Sequence, residues 1–343
     1  MKDDVFILGI ESSCDETSAA IVKNGRQVLS NVIYSQIHIH QPYGGVVPEI
    51  ASRNHVKKIG IIVDQAFRDA GMSYDDVDAV AVTYGPGLVG SLLVGLSFAK
   101  AFSFAAGKPL IGVNHIEGHI SANYIDNPTL EPPYLTLVVS GGHTHLIRVD
   151  DYNDYRILGQ TRDDAAGEAF DKIARTLKLG YPGGPAIDQA ALLGDPAAID
   201  FPRAYLEEDS FDFSFSGLKS AVLNHLNGLK MKGETFKVED VAASFQQAVV
   251  DVLVNKTVAA AKASGLSTLC LSGGVSCNSQ LRKLMKARCE IEGLTLHYPK
   301  ATYCTDNGAM IAGAGYFKFQ RGDFAPEGLT ADPNLKLGNP VDK

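Results

Sequence analysis

His115 and His119 stand four residues apart in the stretch VNHIEGHISANY, residues 113–124. On a helix, side chains at i and i+4 share a face, so this pair can aim two imidazole nitrogens at one metal ion. A zinc peptidase would carry its glutamate directly after the first histidine, as the general base. Here the acid is Glu117, third in the run, which fits neither that order nor its inverted form. Gly118 also weakens a helix where such a site needs it rigid. Spacing alone leaves two readings open, a metal site and a pair of surface or core histidines.

The elements around the pair are repeated along the chain. VFILGI is a continuous apolar run with the character of a buried strand, followed by the polar turn ESSCDET and a second apolar run, SAAIV. YLTLVVSGGHTHLIRV, residues 134–149, has the same plan of strand, small polar turn and strand. Further on, each half reads strand, Gly-rich turn, helix, strand and polar helix start. Two such βββαβα-type halves predict an α/β protein of duplicated RNase H-like domains. This is the actin-like ATPase fold of sugar kinases, Hsp70 and actin, with nucleotide in an interdomain cleft. The expected domains are residues 1–130 and 131–306, with a helical insertion at about 151–253 and a C-terminal segment at about 307–343 packing back on the first.

The duplication adds a third candidate ligand. The helix start that follows LTLHYPKATY carries CTDNGAM, so Asp306 would meet His115 and His119 across the cleft from a symmetry-related position. Two histidines and a carboxylate form a catalytic set for zinc or non-haem iron. Asp306 can equally be the N-cap of the helix behind it.

Several turns could hold an anion or a nucleoside. In VVSGGHTH the two glycines let backbone N–H groups approach a phosphate, and Ser140 adds a hydroxyl. CLSGGVSCNSQLRKLM is strand, glycine turn and helix, with Asn278 near the helix start, and no P-loop sequence is present. GYPGGPAID is a Gly/Pro loop ending in Asp188. Asp171 and Lys172 lie on a helix, where charges are ordinarily a solvated face. In the first turn, Asp15 and Glu16 are candidates for proton transfer or for placing water. ASRNHVKKI, with Arg53, His55, Lys57 and Lys58, is a basic helix that could touch RNA or simply face solvent.

A chain of 343 residues is long enough for about two domains. Its net charge of −8 gives no overall field that would attract nucleic acid, so any RNA needs a local patch or a partner. The five cysteines form no CxxC pair, which argues against a disulfide framework or a cysteine zinc site and fits a reducing cytoplasm. The start MKDDVFILGIESS is acidic and has neither signal- nor transit-peptide character. LVGSLLVGLSFAKAFSFAAG is interrupted by Lys100 and reads as a buried helix rather than a membrane span.

Taken together and in order, GIESSCDETSAAIV, GGVVPEIASRNH, GPGLVGSLLVG, NHIEGH, LVVSGGHTHL, DDAAGEAFDKIAR, GYPGGPAID, LSGGVSCNSQLR and CTDNGAMIA resemble the tRNA N6-adenosine threonylcarbamoyltransferase family, formerly called O-sialoglycoprotein endopeptidases. ESSCDET resembles the bacterial and organellar branch. The resemblance implies transfer of threonylcarbamoyl from threonylcarbamoyl-adenylate to the N6 amine of the adenosine beside the anticodon, in tRNAs reading codons that begin with A. It implies an iron or zinc ion on His115, His119 and Asp306. It also implies that the adenylate, or ATP, ADP or AMP, sits on Val138, Val139, Ser140, Gly141, Gly142, Asp171, Gly184, Asp188 and Asn278. The partners it implies are tRNA, a shorter paralogue and a small P-loop ATPase, with no membrane. A metallopeptidase, and a small-molecule kinase or O-carbamoyltransferase on the same fold, are the competing expectations.

Overall fold

The structure, a computed structural model, describes residues 4–205 and 210–338. In chain order its strands and α-helices are β1 (Phe6–Glu11), β2 (Glu16–Lys23), β3 (Gln27–Ser35), α1 (Ile37–His40), α2 (Pro48–Ala70), β4 (Ala79–Gly85), α3 (Val89–Ala106), β5 (Leu110–Asn114) and α4 (His115–Asp126). There follow β6 (Tyr134–Val139), β7 (Thr144–Asp151), β8 (Asp154–Gln160), α5 (Ala166–Thr176), α6 (Gly183–Ala191), α7 (Ser216–Lys232), α8 (Val238–Ser264), β9 (Thr268–Ser272), α9 (Ser279–Glu292), β10 (Thr295–His297), α10 (Ala301–Cys304) and α11 (Gly308–Arg321).

Each half builds one five-stranded sheet. The first runs β3-β2-β1-β4-β5 and the second, read from its antiparallel edge, β8-β7-β6-β9-β10. The orders are identical, and in both the first strand pairs antiparallel with the second and parallel with the fourth. The duplication expected from the hydropathy pattern is therefore present in the topology.

The chain forms two compact units. One comprises residues 4–132, 150–155 and 298–338, the other 133–149, 156–205 and 210–297. The return to the first unit thus begins at Tyr298, ahead of the expected residue 307. The segment expected to be a helical insertion opens instead with a strand, β8, and its helices run from α5 to the end of α8.

In the first unit the sheet is covered on both faces, which explains why β1 is apolar without alternation. Leu8 and Ile10 point to the side of Ile59, Val63 and Phe67 of α2 and Leu96 of α3. Ile7 points to the other side, with Ile111, Val113, Ala122 of α4 and Ala309 to Ala312 of α11. Helix α3 is not the buried helix its composition predicts. Only 28% of it is buried, and Phe104 is 90% exposed, although it is long and apolar enough to cross a membrane.

Helix α11 lies directly on the sheet because glycine permits it. A Cβ on Gly308 would come within 2.7 Å of backbone atoms of Ala19 and Ala20, and one on Gly315 within 2.5 Å of Ala81 Cβ. Gly9 of β1 faces Gly308 and Ala312 in the same way. This contact sets the height of the α11 start above β1 and β2.

Candidate active site

His115 and His119 open helix α4 at the end of β5. The helix is started by Asn114, whose side chain accepts from Ile116 N at 2.8 Å, while Glu117 reaches back to Asn114 N at 3.2 Å. This is the capping box its sequence encodes. Glu117 also pairs with Lys318 Nζ at 3.3 Å. It is therefore a buried structural carboxylate, and its place in the cap removes it from the role of a peptidase base.

Asp306 joins the two histidines, and all three belong to the first unit rather than facing each other across a cleft. Asn307, not Asp306, caps α11 by accepting from Met310 N at 3.0 Å. Its Oδ1 lies 3.2 Å from His119 Nε2 and 3.5 Å from His115 Nε2. His119 is fully buried, yet neither ring nitrogen has a hydrogen bond among the described residues, despite the short approach to Asp306. A buried imidazole in that state is costly unless something satisfies it. Nitrogen and oxygen donors about 2.0–2.2 Å from a tetrahedral ion lie about 3.3 Å apart, so the observed spacings suit a metal such as zinc. The donor set fits an N₂O ion site.

The surroundings are strongly acidic. Burial depresses the charged form of His115, but the carboxylates of Asp306 and Glu11 outweigh it and hold its pKa up to about 9. Glu16, in the β1–β2 tip, is pushed well above the usual carboxylate range by burial and by the charges of Asp15 and Asp306. Ser35 Oγ donates to Glu16 at 2.9 Å. The tip itself is fixed by His55. Its Nε2 donates to the Cys14 carbonyl at 2.8 Å and its Nδ1 accepts from Thr17 Oγ1 at 2.7 Å. His55 is fully buried, which takes it out of the basic face that Arg53 and Lys57 present.

The second unit gathers the remaining predicted residues where β6 and β9 end side by side in parallel. Val138 and Val139 are buried at the end of β6, followed by Ser140, Gly141 and Gly142 in the turn to β7. Gly167, in the first turn of α5, packs against Ser140 O and Gly141 Cα so closely that a Cβ there would approach them to 2.5 and 2.7 Å. Asp171 of α5 accepts from Gly183 N at 2.7 Å and so fixes the start of α6. Asp188 lies on α6 rather than in a loop, and its oxygens accept from Ser279 Oγ at 2.8 Å and Ser279 N at 3.1 Å. Asn278 caps α9 through Leu281 N at 2.9 Å and donates to Gln246 at 2.7 Å. By contrast Gly141, Gly142 and Gly184 face open space, with nothing within 4 Å of a Cβ placed on any of them. Glycine turns and helix starts at the carboxyl ends of parallel strands are where α/β sheets bind nucleotides.

Residues 27–313 match the family model described as TsaD, tRNA N6-adenosine threonylcarbamoyltransferase. The chain belongs to that family. The tRNA N6-adenosine threonylcarbamoyltransferase of Clostridioides difficile (strain 630) is 59% identical over 334 residues, covering 97% of this chain and 99% of the relative. The enzyme of the same name from Desulfitobacterium hafniense (strain Y51) is 58% identical, covering 97% and 98%. This transferase therefore acts in threonylcarbamoyl modification of tRNA adenosine. Its fold is shared with full-length HypF in the phosphate- and nucleotide-bound form (TM-score 0.62, 15% identity, 92% of this chain and 46% of that one). It is shared too with the (R)-2-hydroxyglutaryl-CoA dehydratase component A of Acidaminococcus fermentans (TM-score 0.53, 14% identity, 92% and 98%). The actin-like ATPase architecture expected from the repeat is thereby established, and the peptidase and kinase expectations are set aside.

Three polar residues around His115 were not singled out in the sequence: Glu11, Ser13 and Thr83. Glu11 ends the apolar strand β1 and Thr83 lies near the end of β4, where a single buried polar residue is the signal. Gly167, inside DDAAGEAFDKIAR, carries a weaker signal, since a helical glycine announces a close contact without saying to what.

Proposed function

We propose that the transferase holds threonylcarbamoyl-adenylate on Val138 to Gly142, Asp171, Gly184, Asp188 and Asn278. ATP, ADP and AMP compete for the same place. The acceptor is the N6 amine of the adenosine beside the anticodon in tRNAs reading codons that begin with A. The amine attacks the carbamoyl carbonyl carbon, the bond from that carbon to the phosphate oxygen breaks, and AMP departs with the electron pair. The reading is carried by the open backbone at Gly141, Gly142 and Gly184, with Asp171, Asp188 and Asn278 locking the surrounding helix starts.

This chemistry asks for charge stabilisation rather than for a protein nucleophile. Backbone N–H groups of Gly141 and Gly142 supply it at the phosphate, that of Ser140 being committed to the His143 carbonyl. His115, His119 and Asp306 hold one divalent ion, iron or zinc, which supplies Lewis-acid charge when bound. Asp15 and Glu16 are the groups that take the proton from the attacking amine. Burial makes the Glu16 carboxylate a stronger base than a surface acid.

The net charge of −8 supports dependence on partners for tRNA affinity. A shorter paralogue and a small P-loop ATPase fill that role, and the five free cysteines suit a cytoplasmic location. The test is to supply purified chain with synthetic threonylcarbamoyl-adenylate and unmodified tRNA, with and without the two partners, and to quantify the modified nucleoside by mass spectrometry. Modification that needs the adenylate and rises with the partners is expected. Full-rate modification by the isolated chain would overturn the partner dependence, and failure to bind the adenylate would overturn the assignment of its site.

A further inference from the structure

Glu11 ends β1 with its carboxylate fully buried, in a place where an apolar residue would cost less. Every partner it has points to one task. Oε1 accepts from Ser13 N at 2.5 Å, and Oε2 accepts from Thr83 Oγ1 at 2.5 Å. The same Oε2 lies 3.2 Å from His115 Nδ1, with Ser13 Oγ also 3.2 Å from that nitrogen. His115 Nε2 is the ring nitrogen on the Asp306 side. An ionised carboxylate accepts and never donates, so when an ion displaces the proton of Nε2, Glu11 keeps the remaining proton of His115 on Nδ1. His119 has no such support, since its Nδ1 is without a hydrogen bond among the described residues.

We infer that Glu11, held by Thr83 and Ser13, is the positioning residue that sets the tautomer and ring orientation of His115 for metal binding. This rests on the proposal that His115, His119 and Asp306 hold an ion. Outer carboxylates of this kind fix ring orientation and raise ligand basicity, and their loss typically costs roughly 10–100-fold in metal affinity. Glutamine cannot replace Glu11. If its amide nitrogen faces His115, the ring must accept at Nδ1 and carry its proton on Nε2, where it cannot bind metal. If the amide is turned over, the NH₂ group opposes Ser13 N–H.

The experiment measures zinc affinity by chelator competition in the wild-type chain and in His119→Ala, Glu11→Gln, Thr83→Val and Thr83→Ser. Folding is checked by circular dichroism and thermal denaturation. Histidine ¹⁵N shifts are recorded for the zinc-loaded wild type and Glu11→Gln. The expected result is roughly 10–100-fold weaker zinc binding in Glu11→Gln, a smaller loss in Thr83→Val and wild-type affinity in Thr83→Ser. The wild type should show His115 protonated on Nδ1. A wild type that binds zinc no better than His119→Ala would sink the underlying metal proposal. A wild type that binds well, beside a folded Glu11→Gln of equal affinity and unchanged His115 shifts, would overturn the role of Glu11 alone. Should Glu11→Gln fail to fold, Thr83→Val against Thr83→Ser decides, and equal affinities in that pair overturn the inference.

Discussion

Replacing Gly308 by alanine separates the packing of α11 from the chemistry it positions. The added Cβ would stand 2.7 Å from Ala19 C and Ala20 N, backbone atoms in the middle of β2 that cannot turn aside. Ordinary contact begins at 3.4 Å, so the start of the helix must retreat by about 0.7 Å. Overpacking on this scale costs roughly 1–3 kcal/mol. For a folding unit of about 150–250 residues, 2 kcal/mol lowers the melting temperature by about 4–8 °C. Asp306 lies two residues before Gly308, and metal–ligand distances tolerate only about 0.2 Å, so zinc affinity should fall by about tenfold or more. Gly315→Ala is the control. Its Cβ would meet Ala81 Cβ at 2.5 Å, a comparable clash, but seven residues and about 10 Å further along the helix from Asp306. Thermal denaturation with chelator competition distinguishes the two effects. Equal zinc affinities in the two variants at similar loss of stability would refute the idea that this glycine contact sets the height of Asp306.

Gly184→Ala should leave stability unchanged or slightly raised, since its Cβ meets nothing in the protein; calorimetric titration with a non-hydrolysable adenylate analogue should nonetheless show weakened binding. Burial lowers the His55 pKa below its ordinary 6.5. Its contribution to stability is then full above about pH 6.5 and is lost as pH falls towards the lowered folded value, because the unfolded state takes the proton first. Denaturant unfolding between pH 7 and 5 should show a slope of at most about 1.4 kcal/mol per pH unit from this group, absent in His55→Gln. Asp164 accepts from Lys172 and Lys219, each at 2.8 Å. Burial would raise its pKa, but the two lysines outweigh it and hold it below the usual range. Asp164→Asn should cost about 1–2 kcal/mol at neutral pH after allowance for solvent screening, and that difference should vanish as the pH falls through the lowered carboxylate value.

What the sequence revealed, and what it hid, follows from the range of each interaction. The two halves are legible because a strand buried on both faces is apolar without alternation, as β1 is up to Glu11 and β6 is apart from Thr136. His115 and His119 were legible as a pair because four residues make one helical turn. Asp306 was reached through the repeat, but with the wrong geometry. A symmetry-related position would lie across a cleft, whereas the chain returns at Tyr298 and brings Asp306 into the unit that holds the histidines. No local signal marks such a return. It depends on Gly9, Gly308 and Gly315 letting α11 lie against a sheet whose strands all precede it by more than 190 residues.

Helix α3 failed for a different reason. Its composition is apolar all round, which predicts burial, yet only the face carrying Leu92, Leu96 and Ala99 is covered. Composition states how much surface a helix could bury and not which neighbour is present to bury it. The same limit applies to Glu11. A glutamate ending an apolar strand is conspicuous, but its meaning comes from Thr83, 72 residues away, and His115, 104 residues away. Both lie at the carboxyl ends of neighbouring parallel strands or just beyond. In this fold that edge collects polar side chains from distant segments, so the residues that tune a site are the ones least visible in any single motif.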